Sequence, residues 1–339
     1  MMNGIKTRDM GKRIAICLAM PVIVYLFFLL LCAVLHIPGF SAWSNLQVVF
    51  RTAVYNSFIT WAFAFNLGNG RFDFSIGSLM LLSTVIGAQL ADGLGLGAGG
   101  MLLMFVLAGA VLGCVSGVLY VVLQVSPMVS SIGVTMVYEA FTYIFTGGDG
   151  IIMIGRNDLL VFATPGITYL LCAAGLVVVV FLSRYTIFGY NFRALGSGQA
   201  VSVATGINEK RNAILCYVLA GILMACAGII NFSILGTCQP KTGLSSSSYM
   251  MNAFLPLFIG MALSRYTDNN VGILIGALTQ ALITSGFTKL GMTSMLQSVL
   301  NAVIVLGFLF FEASSYRSVE RKVFAAKRNQ LMSEQEVLP

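Results

Sequence analysis

Ile14-Ala-Ile-Cys-Leu-Ala-Met-Pro-Val-Ile-Val-Tyr-Leu-Phe-Phe-Leu-Leu-Leu-Cys-Ala-Val-Leu35 contains no Asp, Glu, Lys or Arg, and Lys6, Arg8, Lys12 and Arg13 stand just before it. As a helix rising 1.5 Å per residue it would reach about 33 Å, enough for a hydrocarbon core of about 30 Å. A basic stretch before an apolar one also opens a secretory signal, but there the apolar region covers about 7–15 residues. Leu31 also stands ahead of Cys32, where a lipoprotein signal wants a small residue. The run therefore reads as a retained first membrane helix.

The rest of the chain repeats the pattern. Of 339 residues 58% are hydrophobic and 9% charged, against about 25% charged in soluble domains. Ten apolar segments are expected, at about 14–35, 46–67, 73–91, 99–123, 128–146, 166–183, 212–235, 249–263, 271–287 and 293–312. The fold class is all-α, a polytopic membrane protein. One membrane domain over 14–312 is expected, between an N-terminal segment 1–13 and a C-terminal tail 313–339. Pro127, Pro256, the 68–70 stretch and Asp73 predict that some helices are broken or re-entrant, which a bilayer tolerates only where protein or a water-filled cavity covers the free backbone.

Orientation follows from the basic residues. With ten spans and both termini cytoplasmic, Arg156, Lys241 and Lys289 fall outside and Arg51 lies within the second segment, so fifteen of the nineteen Lys and Arg are cytoplasmic. An odd count would send one basic terminus outward, against the positive-inside rule. The same placement accounts for the net charge of +7 and argues against nucleic acid, which needs a basic face on a soluble module.

The seven cysteines are scattered without CxxC or Cys/His spacing, so they read as packing residues rather than metal ligands. No Walker A, HExxH or GxSxG motif is present, and no catalytic residue is assigned. Gly95, Gly97 and Gly100 match GxGxxG formally, but no strand precedes them and they fall in a turn. Gly109, Gly113 and Gly117, like Gly272 and Gly276, give their helices smooth faces for close packing.

Polar groups within apolar segments carry the functional signal, since a charge at a helix centre costs about 2.5–3.5 kcal/mol on insertion scales. Asp73 opens Asp73-Phe-Ser-Ile-Gly-Ser78 near Arg71. It reads as a helix N-cap or as part of a solute path with Asn66 and Ser75. Glu139 lies mid-segment with Thr135 and Tyr138 on neighbouring turns, as a path residue or in a buried hydrogen bond or ion pair with Arg51. With Asn252 these residues suit a wet path for a polar, uncharged solute. The long loop 184–211 is expected to be cytoplasmic. Gln199 to Ala204 reads as a short helix closed by Gly206, either a solvated connector or an element that receives force from a partner.

These segments resemble the permease family of ribose-type ABC importers. Gly70-Arg-Phe-Asp-Phe-Ser-Ile-Gly-Ser78 is similar to that family's GGIDLSVGS. Thr205-Gly-Ile-Asn208 is similar to its SGIN, Gln239-Pro-Lys-Thr-Gly243 to QPxxG, and Gly272-Ile-Leu-Ile-Gly-Ala277 to GTLIGA. The resemblance implies a transport subunit in the bacterial inner membrane, not an enzyme. Two permease copies, or two related permeases, would form the path for a monosaccharide or similar small polar solute. An extracytoplasmic binding protein would deliver it. A partner ATPase carrying ATP and Mg would dock on the loop through Arg193, Gly198, Gln199, Gly206 and Asn208. Two departures stand out: 258–270 keeps Gly260 but little else of the family's glycine-rich stretch, and Glu139 replaces an arginine common among relatives. Nucleosides or branched-chain amino acids are the alternative solutes. From another class, an ion-coupled secondary transporter would depend on Asp73 or Glu139, and a membrane scaffold would move no solute.

Overall fold

Residues 7–156 and 158–310 are described in a computed structural model of the chain. Residues 1–6 of the N-terminal segment and the whole tail 313–339 lie outside the described residues. The helices are α1 (Thr7–Val34), α2 (Trp43–Leu67), α3 (Ile76–Gly93), α4 (Ala98–Leu123), α5 (Pro127–Thr146), α6 (Pro165–Tyr185), α7 (Ile187–Ser197), α8 (Gln199–Ala204), α9 (Glu209–Leu235), α10 (Ser248–Met251), α11 (Phe254–Leu263) and α12 (Asn269–Lys289). A thirteenth, α13, covers Ser294–Phe310. Two-residue strands β1 (Ile151–Ile152) and β2 (Thr237–Cys238) pair antiparallel. Contacts divide the chain into Met1–Leu290 and Gly291–Pro339; α1 to α12 and both strands lie in the first unit, and α13 lies in the second.

Among the described residues, eight stretches are long and apolar enough to cross a membrane, one of them the broken run Ser245–Leu263. The protein is a nearly all-helical, multi-pass membrane protein. α2 falls outside the eight although it has 25 residues, because Asn45, Gln47, Arg51, Asn56 and Asn66 dilute its apolar face.

Boundaries follow local chemistry. Pro127 and Pro165 open α5 and α6 at the first helical position, where a missing N–H costs nothing. Gly147 and Gly236 close α5 and α9 in the left-handed conformation. α3 and α9 form the centre, with 72% of the apolar stretch of each buried, whereas α1 and α6 bury 22% and 17% and leave apolar faces for lipid. The small-residue faces act as their spacing predicts. A Cβ on Gly113 of α4 would lie 2.4 Å from the Tyr217 carbonyl oxygen of α9, and one on Gly276 of α12 would lie 2.5 Å from that of Pro256 in α11. Only glycine permits such approach, and in lipid that packing holds helices together.

Candidate translocation segment and loop

The chain leaves helical geometry between α9 and α11, and the candidate site is built there. After β2, Gly243 and Leu244 both adopt left-handed backbone (φ 67° and 65°). A 3-10 turn at Ser245–Ser247 leads into the four-residue α10, and the turn at Asn252 and Ala253 breaks the helix before α11. Glu139, buried in the middle of α5, secures this entry. Its carboxylate accepts the backbone N–H groups of Leu244 and Ser246, each at 2.9 Å. Gly77, one residue into α3, lies so close that a Cβ there would meet the Ser246 carbonyl oxygen at 2.1 Å. The irregular segment is thus held against the middle of α5 by Glu139 and against the start of α3 at Gly77.

Its outer side is open. Thr242, Gly243, Ser245, Ser248, Met251 and Asn252 are exposed. Lys241 donates to the Ser248 hydroxyl at 3.2 Å and sits 4.0 Å over the Tyr249 ring. Irregular backbone at membrane depth survives only against protein or water. Hydroxyls and an amide along the open side suit a hydrated surface for a neutral, hydroxyl-rich solute.

The sequence candidates divide into two groups around this segment. Asn252 lies on its open side. Glu139 supports it from behind and bonds to backbone N–H groups rather than to Arg51. Thr135 donates to the Ser131 carbonyl at 2.7 Å, and Tyr138 donates to the Leu112 carbonyl at 2.7 Å, pinning α5 to α4. Asp73 is enclosed. It accepts from Asn66 Nδ2 at 2.8 Å, from the Ser75 N–H at 2.8 Å and from the Ser75 hydroxyl at 2.6 Å. It organises the α2–α3 turn two residues ahead of the N-cap, which is Ser75 itself. Arg71 turns away from it and donates to Cys216 Sγ at 3.4 Å. Asn66, Asp73, Ser75, Thr135 and Tyr138 are therefore interior supports. Lys241, Ser245 and Ser248 are not apparent from sequence as site residues. Their only signal is four consecutive serines just after the QPxxG stretch, ahead of an apolar run too short to span alone.

The 184–211 loop folds as a helical pair. Phe188 and Phe192 of α7 pack on Phe65 near the end of α2, with ring centroids 6.0 and 5.6 Å apart. α8 occupies the expected residues and folds back through a Ser202 hydroxyl bond to the Ala194 carbonyl at 2.8 Å. Gly206 stops it with φ 95°. Asn208 then caps α9 by accepting the Arg211 N–H at 3.0 Å, while Gln199 donates to Glu209 at 2.6 Å. Arg193 donates to the Ser183 carbonyl. Gly198 is extended with open space around it. Ile187, Tyr190 and Val201 stand 81%, 65% and 71% exposed, an apolar surface on a polar loop.

Residues 48–311 match the family described as branched-chain amino acid transport system / permease component. The chain belongs to this family. The permease is 28% identical to the ribose import permease protein RbsC of Bacillus subtilis over 83% of this chain and 88% of the relative. It is 26% identical to RbsC of Escherichia coli K12 (79% and 85%) and 26% identical to the L-arabinose ABC transporter permease protein AraH of Azospirillum brasilense (88% of each). No solved structure matches it. On another face of the permease, Arg156 bridges Asp92 at 3.0 Å and Asp158 at 3.3 Å. These carboxylates, Asp158 first, hold the guanidinium's pKa above its usual value.

Proposed function

We propose that this permease is the membrane-spanning subunit of an ATP-driven importer and carries a monosaccharide or similarly small polyhydroxylated solute along the open side of the 239–252 segment. The observation that carries the proposal is that segment itself: polar, exposed, irregular and held against the middle of α5 by Glu139. Relatives named for ribose and L-arabinose support the solute class. Ten spans with both termini in the cytoplasm, in a bacterial inner membrane, agree with the distribution of basic residues; α2 and α13 complete the ten.

ATP and Mg belong on a separate ATPase, and the exposed Ile187, Tyr190 and Val201 of α7 and α8 offer it an apolar docking surface. A second permease, identical or related, closes the open side of the segment, and a binding protein delivers the solute from outside. An ion-coupled carrier finds less support, because Asp73 and Glu139 are both buried and engaged with neighbouring donors. The test is reconstitution in liposomes with an ABC ATPase and a solute-binding protein that co-purify with it. Solute uptake that requires ATP is expected. ATP-independent uptake, or purification that never retains an ATPase, overturns the reading.

A further inference from the structure

The end of α6, the second half of α7, the start of α12 and the second half of α2 meet in a polar knot away from the open segment. Arg184, in the last turn of α6, forms an ion pair with Asp268. Asp268 also caps α12, its Oδ1 accepting the Asn270 N–H at 2.8 Å. Asn270 donates from Nδ2 to the Ser183 hydroxyl at 2.9 Å, and its carbonyl accepts the indole N–H of buried Trp61 at 3.0 Å. Arg193 of α7 holds the Ser183 carbonyl from the other side.

Two features give this knot mechanical meaning. A cavity of about 710 Å³, lined by Phe65, Phe192, Phe258 and Met261, lies against it, so α7 and α11 have room to shift on that side. Beyond the knot there is no slack. α12 lies on α11 so closely that a Cβ on Gly272 would come within 2.8 Å of the Gly260 carbonyl oxygen, and one on Gly276 within 2.5 Å of that of Pro256. α11 runs back through Asn252 into α10 and the open segment. Close-packed contacts transmit displacement rather than absorb it, so a shift that the knot passes from α6 and α7 to α12 is carried on to α11 and Ser245–Ser248.

We propose that Arg184 and Asp268 are positioning residues that couple movement of the α7–α8 loop to the solute-lining segment. This rests on the function proposed above. Arg184 is half open to water (52%) while Asp268 is largely enclosed (15%), and the bond from the Asn270 N–H to Asp268 Oδ1 persists when the arginine is replaced. Its removal should therefore leave the fold while loosening the link.

The experiment measures solute taken up per ATP hydrolysed by the assembled importer in liposomes. D268N keeps a side-chain oxygen for the α12 cap but loses the charge; R184Q removes the partner; R184K keeps the positive charge. D268N and R184Q are expected to lower uptake per ATP about fivefold or more, with the ATPase still bound and still hydrolysing, and R184K is expected to recover most of the loss. An unchanged ratio in both variants overturns the inference. So does a loss in R184K equal to that in R184Q, or a parallel fall of hydrolysis and uptake through failed assembly. If the unmodified importer shows no ATP-dependent uptake, the proposed function fails instead, and the two failures are distinguishable.

Discussion

Glu139 shows how one side chain can set a site without lining it. A buried backbone N–H left without a partner costs about 1–3 kcal/mol, and this carboxylate satisfies two of them at the entry to the open segment. E139A should lower ATP-dependent uptake about tenfold or more and lower the midpoint of thermal unfolding in detergent. E139Q, which keeps one acceptor oxygen, should fall between E139A and the parent, so equal midpoints for all three would show that the two hydrogen bonds contribute nothing. Asp73 makes a different kind of prediction. Because Asp73 is enclosed, D73N should lower the yield of folded protein without changing the solute concentration that half-saturates uptake. A shifted half-saturation at normal yield would return Asp73 to the path. Both residues stand out in the sequence because charge inside an apolar segment demands a partner. Their partners do not: Glu139 bonds to backbone groups more than a hundred residues away, and no pattern of residue types announces the left-handed backbone of Leu244 that presents them.

The helices themselves are more legible. Apolar length and proline or glycine boundaries place α4 and α5 to within a residue or so, because a membrane span needs about 20 residues and its ends need a backbone solution. The first helix extends beyond its apolar run to begin at Thr7, since the basic residues continue the same helical turn geometry. The segment expected at 249–263 divides into α10 and α11, since hydropathy averages over a break that Asn252 and Ala253 make locally. In the loop, α8 and its Gly206 stop are readable from a short run followed by glycine. The two glycines there differ in what they do. G206V forces a β-branched residue into left-handed backbone, at a cost of about 1–3 kcal/mol, and should reduce uptake and ATPase retention together. G198A should leave both near the parent, because Gly198 is extended with nothing near its missing Cβ. Equal effects would mean that loop conformation is not what the ATPase reads. G113L should block folding outright by driving α4 from α9, seen as loss of the monodisperse peak in detergent.

At the scale of the molecule, the proposed coupling joins three regions of one unit: a helical loop with an apolar exposed face, a polar knot at the base of α12, and an irregular segment with polar groups on its open side. Chain composition announces the membrane, and the ordered set of motifs announces the family. The open segment emerges only when folding brings α5, α3 and the 239–252 stretch together.

The most direct test of the central claim is the reactivity of single cysteines placed at Ser245, Ser248 and Asn252 in the assembled importer. A charged, membrane-impermeant thiol reagent would be used, with V111C and V178C as lipid-facing references above the background of the native thiols. If the open segment carries solute, its three positions react, the references stay silent, and saturating solute with the binding protein slows the reaction at the segment. Silence at all three positions in every nucleotide state, or reaction that solute never slows, would contradict it.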